Sequence, residues 1–456
     1  MAQVGTANSI SYPSLPAGIK TFLDRTLANI PLTLHVNCWN RDYIHVENRQ
    51  NQLARLTLTI NHPGVVRALL LTQDLMVLPE AYLQGLIEVD GSLDALLPLI
   101  QTNPHGSIQR KQFLRAWLEA WMLPRLPGLR SSGSFWTAWR RHTRDRDRQA
   151  IQSHYDLGNS FYRLWLDPHL VYSCAYFAQP QTSLQDAQEA KLDLICRKLQ
   201  LSPGESMLDV GCGWGALLRW AVTRYGVTGY GITLSQEQFD YNQQQIAAAG
   251  LRDRLKVELL DYRDLPKTPT FDKIVSVGMI EHVGIRNYPV YFQALHAALK
   301  PGGLLLNHAI NSAVIYNGSS WGERFIARYI FPDGELATLS QTLVAAEDNG
   351  WEIVDVDAWR PHYAETLRRW ARNIDAASDQ VIACIGKPRF NIWRLYLLGC
   401  AFAFQNNAQG IYQTLLRRKA DADWNLPMTR QHWCYDGAVL HTHHSEIDER
   451  QPTSVR

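Results

Sequence analysis

The run Leu208-Asp209-Val210-Gly211-Cys212-Gly213-Trp214-Gly215 constrains this chain more than any other segment, because a buried strand ends in closely spaced glycines and continues as a helix. Missing side chains let the backbone approach a ligand and supply the positive φ of a tight strand-to-helix turn, and the helix start at Ala216 presents unpaired N–H groups. The spacing is Gly-x-Gly-x-Gly, not the Gly-x-Gly-x-x-Gly of dinucleotide binders. Alone, such a turn is as compatible with a structural connection as with a nucleotide-like cofactor. The residues downstream give it a function.

A second strand in Gly229-Tyr230-Gly231-Ile232-Thr233 reaches a helix cap at Ser235. In a Rossmann-like sheet this strand end faces a ribose, and Thr233 and Gln238 stand where most nucleotide folds place Asp or Glu. A third strand, 255–260, ends in Asp261-Tyr262-Arg263-Asp264, a flat side chain and acceptors suited to flank an adenine. A fourth, 273–277, runs into Gly278-Met279-Ile280-Glu281-His282-Val283-Gly284.

With these motifs the chain resembles the S-adenosylmethionine-dependent methyltransferases, and within them the cyclopropane-fatty-acyl-phospholipid synthases and their mycolic-acid relatives. The similarity also rests on His154-Tyr155-Asp156-Leu157-Gly158-Asn159, Tyr172-Ser173-Cys174-Ala175-Tyr176-Phe177, Leu299-Lys300-Pro301-Gly302-Gly303 and Tyr329-Ile330-Phe331-Pro332. It covers residues 150–419 closely and 50–95 more loosely; in Leu78-Pro79-Glu80-Ala81-Tyr82, Pro79 replaces a glycine of the family's pattern. The implied fold is α/β, a Rossmann-like class I methyltransferase domain behind a smaller N-terminal α+β domain.

The resemblance implies chemistry in which a methyl carbon from the sulfonium cofactor joins a cis double bond of a phospholipid acyl chain. An alkene is a poor nucleophile, so the driving force lies in the sulfonium, and the enzyme's task is alignment and exclusion of water. Removal of a proton from the added methyl closes the ring and requires a nearby weak base. In the family that base is a bound bicarbonate, held by a Cys, a Glu, a His, a Tyr and a backbone group. The matching residues are Cys174, Glu281, His308 with Ile310, and Tyr363. Cofactor contacts carry over to Tyr172 and Ser173 near the methionine portion and Gly211 and Gly213 beneath it. Thr233 and Gln238 fall at the ribose, and Tyr262 and Arg263 by the adenine. No metal is implied.

Each of these residues has a plainer reading. Cys174 suits a core, Glu281 a helix cap and His308 a satisfied core histidine; Tyr363 precedes a helical pattern with Leu367 and Trp370. Their joint occurrence in matching contexts favours a site. Tyr155, Tyr176, Phe177, Trp321, Tyr329 and Tyr396 are candidates to line an acyl tunnel, and segment 313–327, with Gly318 and Gly322 as hinges, is the expected lid.

The formal charge of +2 marks no nucleic-acid binder, and seven cysteines without C-x-x-C spacing suit reduced thiols in the cytoplasm. The longest apolar stretches, such as 395–404, fall short of the ~18 to 20 residues that span a bilayer, so contact with an unsaturated phospholipid is expected to be peripheral, at the inner face of the membrane. Four parts are expected. Residues 1–130 form a lipid-docking domain with strand 56–60 and helix 65–71, and 124–133 is linker-like. The linker and basic-aromatic stretch takes in 131–149, in which Phe135, Trp136 and Trp139 precede Arg140, Arg141, Arg144, Arg146 and Arg148. Catalysis falls to 150–419. The tail, 420–456, is polar, and its His441, His443 and His444 are read as part of a disordered end, not a metal site. A homodimer is left open by the resemblance.

The expected activity is cyclopropanation of unsaturated phospholipid acyl chains. Rivals are a fatty-acyl C-methyltransferase giving methyl-branched or methylene products, a small-molecule N- or C-methyltransferase, and a non-catalytic lipid-binding protein.

Overall fold

The computed structural model describes residues 12–28, 33–46, 55–91, 93, 110–126, 144, 157–315, 320–332 and 334–433. Its centre is a seven-stranded sheet in the order β10-β11-β9-β8-β5-β6-β7. These strands are β5 (Ser206–Val210), β6 (Thr228–Thr233), β7 (Leu255–Leu259), β8 (Phe271–Val277), β9 (Leu299–Ser312), β10 (Trp351–Ala358) and β11 (Gln409–Arg418). Strands β5 to β9 pair in parallel, whereas β11 runs antiparallel between β9 and β10. This is the Rossmann-like class I methyltransferase arrangement expected above.

Side-chain alternation explains why the sheet is buried on both faces. Met207, Leu304 and Leu306 enter one core, while Leu208, Val210 and Leu305 enter the other. Helices Leu184–Lys198, Ala216–Tyr225, Arg360–Ala376 and Lys387–Gln405 contribute to the first core, and helix Tyr288–Ala298 to the second. The apolar stretch 395–404 lies within helix Lys387–Gln405 and is largely core, and no helix among the described residues is long and apolar enough to cross a membrane.

Strand order reverses at β5, since β6 and β7 follow it on one flank while β8 and β9 lie on the other. Ligands in such sheets bind at that switch point, beyond the carboxyl ends of the strands. There the chain turns through Gly211, Gly213 and Gly215, at φ +81°, +55° and +75°. A Cβ on Gly215 would stand 1.9 Å from Asn242 Oδ1. Asn242 uses its amide to hold the turn, donating at 2.8 Å to both Gly213 O and Gln238 O.

The N-terminal fold has its own four-stranded sheet, β2-β1-β3-β4, and its own core, which draws on residues from Leu15 to Leu123. Here β1 (Thr33–Cys38) pairs antiparallel with β2 (Tyr43–Val46) and parallel with β3 (Arg55–Ile60), which pairs antiparallel with β4 (Ile87–Asp90). The expected strand 56–60 and helix 65–71 correspond to β3 and to helix Pro63–Thr72. Helix Val77–Leu83 links this fold to the larger one: Arg394 Nη1 donates to Tyr82 Oη at 3.2 Å, and Arg328 pairs with Glu80. Next to it, Arg324 makes two hydrogen bonds to Asp74, at 2.9 and 2.6 Å.

The glycine turn makes an ordered stability prediction. Gly213→Ala meets nothing within 4 Å and should cost only the left-handed backbone strain of about 1–2 kcal/mol. Gly215→Ala must also displace the buried Asn242 amide, adding about 1–3 kcal/mol. Urea denaturation midpoints check the order, and equal losses would contradict the Asn242 contact.

Candidate active site

A cleft opens at the switch point, with an empty volume of about 1000 Å³ when its open mouth is included. Tyr172, Ser173, Gly211, Gly213, Thr233, Gln238 and Tyr262 line it. Thr233 Oγ donates to Gln238 Oε1 at 2.7 Å and accepts Ser235 N–H at 3.2 Å, leaving one Thr233 lone pair and the Gln238 amide N–H groups as groups that could meet ribose hydroxyls. Arg263 is not among the lining residues. Its guanidinium is bound to Asp261, at 2.7 Å (Nε to Oδ1) and 2.6 Å (Nη2 to Oδ2), and lies 5.1 Å over the Tyr262 ring.

The five residues expected to handle the proton are not among the residues that line this cleft. Cys174 follows Ser173 of the wall, and Glu281 precedes His282 of the wall. Three of the five gather around the buried Trp359. The Cys174 thiol sits 4.0 Å from the Trp359 carbonyl, the His308 ring centroid is 5.2 Å from that of Trp359, and Tyr363 N–H donates to the Trp359 carbonyl at 3.1 Å. Tyr363 lies within helix Arg360–Ala376 and not ahead of it, because Pro361 starts the helix earlier than the sequence pattern suggested. The remaining two are joined directly: Ile310 N–H donates to Glu281 Oε1 at 2.7 Å. His308 and Ile310 are two apart on β9 and therefore face the same way.

Burial sets the protonation states. Burial pushes the Glu281 carboxyl up to about 7, against the hydrogen bond from Ile310, and its Oε2 has no hydrogen-bond partner among the described residues. His308 is held well below the usual histidine range, first by burial and then by the cations Lys191 and Lys198. The Cys174 thiol is pushed up by burial, which keeps it protonated and unreactive as a nucleophile. Burial raises the Tyr363 phenol as well, and Tyr396, Cys174, Cys400 and Glu281 all contribute to that rise.

The His308 tautomer follows from its neighbours. Lys198 Nζ donates to Gln413 Oε1 at 2.8 Å, which turns the amide nitrogen of Gln413 toward His308 Nδ1, 3.0 Å away. The neutral ring therefore carries its proton on Nε2, a buried donor without a partner among the described residues. Asp357 holds Lys198 at 2.6 Å and accepts from Trp359 Nε1 at 2.8 Å.

Sequence reasoning missed Lys198, Gln413 and Trp359, since they come from three distant elements and carry no local motif. It also missed Lys191 and gave no role to Asp209. Both are buried, and both line the cleft. Burial raises Asp209 to about 7, an effect Lys191 opposes, and lowers Lys191 to about 8. Lys191 Nζ donates to Ser173 Oγ at 2.8 Å, fixing the segment that carries Tyr172 and Cys174. A lysine among the apolar positions of segment 184–198 was the one available signal.

Other expectations are redrawn. Gly322 is not a hinge: it sits in the first turn of helix Trp321–Tyr329, where Ser320 and Glu323 close a capping box. Gly318 lies outside the described residues. Tyr176 stacks on His362 with centroids 4.8 Å apart, Phe177 lies 5.2 Å beneath Arg369, and Trp321 and Tyr329 pack against the main core. Tyr396 is buried and accepts from Tyr172 Oη at 3.2 Å. Arg144 is exposed and pairs with the exposed Asp264 at 3.0 Å. Tyr155, the basic-aromatic residues Phe135, Trp136, Trp139, Arg140, Arg141, Arg146 and Arg148, and the tail histidines lie outside the described residues.

The sequence matches the family model for mycolic acid cyclopropane synthetase over residues 142–414, more than half of the chain. It is 45% identical over 296 residues to a probable fatty acid methyltransferase of Pseudomonas putida, spanning 64% of this chain and 75% of that protein. To cyclopropane mycolic acid synthase 3 of Mycobacterium tuberculosis it is 36% identical over 278 residues, spanning 59% of this chain and 96% of that one. Among solved structures, mycolic acid cyclopropane synthase CmaA1 complexed with SAH and CTAB matches with a TM-score of 0.57 at 35% identity, covering 59% of this chain and 98% of that chain. A strand-end glycine turn, a cleft at the switch point and these matches agree: the chain belongs to the mycolic acid cyclopropane synthetase family of S-adenosylmethionine-dependent methyltransferases.

Proposed function

We propose that this enzyme adds a methylene carbon from S-adenosylmethionine across the cis double bond of an unsaturated phospholipid acyl chain, closing a cyclopropane ring with bicarbonate as the proton acceptor, at the cytoplasmic face of a membrane. One observation carries the reading: a buried carboxylate oxygen, Glu281 Oε2, and a buried donor, His308 Nε2–H, have no hydrogen-bond partner among the described residues, and Gly278, whose N–H donates to the His308 carbonyl, and His282, next to Glu281, line the cleft. Two such groups left unpaired cost free energy unless a ligand with both donor and acceptor character meets them.

S-adenosylmethionine, when bound, supplies a methyl group on a sulfonium that leaves as a neutral thioether. The glycine turn and the N-terminus of helix Ala216–Tyr225 would hold its polar parts, while Thr233 and Gln238 offer acceptor and donor groups to hydroxyls. Bicarbonate, when bound, supplies a base weak enough to coexist with a sulfonium. His308 and Tyr363 would donate to it, and Glu281 would accept from its hydroxyl. The Ile310 N–H already bonds Glu281, so it orients that carboxylate. Aromatic rings around the site stabilise positive charge without capturing it as a nucleophile would.

The similarity to a protein named as a probable fatty acid methyltransferase supports a second reading, in which the same first step yields a methyl-branched or methylene-bearing chain. Mass spectrometry of lipids from a host expressing the enzyme, fed labelled methionine, should show acyl chains gaining one methylene, and chromatography against standards should identify a ring. A branched product would select the second reading.

Activity on liposomes bearing a cis-unsaturated chain should fall in degassed buffer and return with added bicarbonate. Glu281→Gln and Tyr363→Phe should lower turnover by about 10²- to 10⁴-fold while calorimetry shows S-adenosylmethionine still binding. Indifference to bicarbonate and to both substitutions would make these residues structural.

Gln413 offers a sharper test of the tautomer. Gln413→Leu removes the donor to His308, and Gln413→Glu replaces it with an acceptor that draws the ring proton to Nδ1. Both should reduce kcat about 10- to 100-fold with little change in KM, and nitrogen NMR of His308 should show the proton move only in Gln413→Glu. Wild-type turnover in Gln413→Glu would refute the assignment.

A further inference from the structure

Helix Arg110–Ala120 and the turn after it carry an apolar stripe that the described residues of the N-terminal fold leave exposed. Leu114, Leu118, Trp121 and Met122 are 57%, 56%, 53% and 70% exposed. Spacings of three and four residues place them along one side of the helix, while Ala116 and Ala120 on the other side are fully buried in the N-terminal core.

The helix is locked in this orientation from within. Glu119, the only acid on it, turns inward: its Oε2 accepts Ile19 N–H at 3.0 Å, so close over Gly18 that a Cβ there would stand 2.6 Å away. Nη1 of the buried Arg67 donates to the carbonyls of Ala120, Trp121 and Leu123, closing the helix's C-terminal end. Arg110, Lys111 and Arg125 are exposed on this helix and the turn after it, and the exposed Arg115 donates from Nε to Glu119 Oε1 at 3.0 Å. Cations flanking exposed Leu, Trp and Met side chains match the phosphates and acyl boundary of an anionic bilayer. A second copy docking through the same face would bring these cations against one another.

We propose that this stripe is the surface by which the enzyme seats on anionic phospholipid, with Leu114, Leu118, Trp121 and Met122 entering the headgroup boundary and the cations at phosphate level. The inference builds on the reading of the enzyme as one that acts on bilayer lipid, and places a membrane contact on the N-terminal fold.

Sedimentation of the full chain with vesicles of phosphatidylcholine and phosphatidylglycerol tests it. Arg110→Gln, Lys111→Gln and Arg125→Gln should each weaken binding about fivefold at low salt, and the triple variant Leu114→Gln, Leu118→Gln, Met122→Gln should lose binding more than tenfold. Affinity for S-adenosylmethionine and turnover of a short-chain, monomeric unsaturated phospholipid should stay unchanged, which separates a failed surface from a failed substrate reading. Wild-type vesicle binding by the triple variant overturns the proposal. So does sedimentation equilibrium showing a dimer that the apolar variant dissociates, since the stripe would then join two copies.

Discussion

The absence of a Cβ at three positions after β5 is the constraint on which the active region depends. Left-handed backbone at Gly211, Gly213 and Gly215 lets the chain leave the strand and enter helix Ala216–Tyr225 within one turn. Asn242 then occupies the space a side chain on Gly215 would take and bonds to Gly213, which ties helix Gln236–Ala248 to the same turn. Gly231 does the equivalent job on the next strand, since a Cβ there would lie 2.6 Å from Leu218 and 2.9 Å from Cys212 Sγ. These contacts bring Thr233 and Gln238 to the cleft that the glycines open.

Around that cleft the protein buries ionisable groups whose charges are compensated at a distance. Asp209 and Lys191 are both shifted toward neutrality by desolvation, and Glu281 and His308 are shifted in the same sense. A cation such as a sulfonium gains from nearby carboxylates in a medium of low dielectric, whereas a neutral, tautomerically fixed imidazole is a donor that does not repel it. The polar relay Asp357, Lys198, Gln413 and His308 is how a histidine in so apolar a setting keeps one defined donor.

The N-terminal fold is attached through charge as well as through packing. Asp74 and Glu80 engage Arg324 and Arg328, both on helix Trp321–Tyr329, which belongs to the segment expected to lie over the lipid. Exposed ion pairs contribute little to stability, but paired guanidinium and carboxylate groups fix geometry. Any surface through which the N-terminal fold meets lipid is thereby connected to the region that would admit an acyl chain.

Local rules made much of this legible. The glycine turn, the Ser235 cap and the apolar strands depend on neighbours within a few residues, so the switch-point architecture could be read from Leu208, Gly211 and Ser235 directly. The resemblance supplied Cys174, Glu281, His308, Ile310 and Tyr363 as a set. What the sequence could not determine is decided by contacts across the chain. The guanidinium of Arg263 is bound to Asp261 outside the cleft wall, Gly322 is held in a capped helical turn, and Arg144 is paired to Asp264. The tautomer of His308 depends on residues 105 positions away, and the outward face of helix Arg110–Ala120 on a buried arginine 53 positions before its end. Residue type and spacing determine which groups are present; protonation state, orientation and exposure are set by burial and by partners that only tertiary structure brings near.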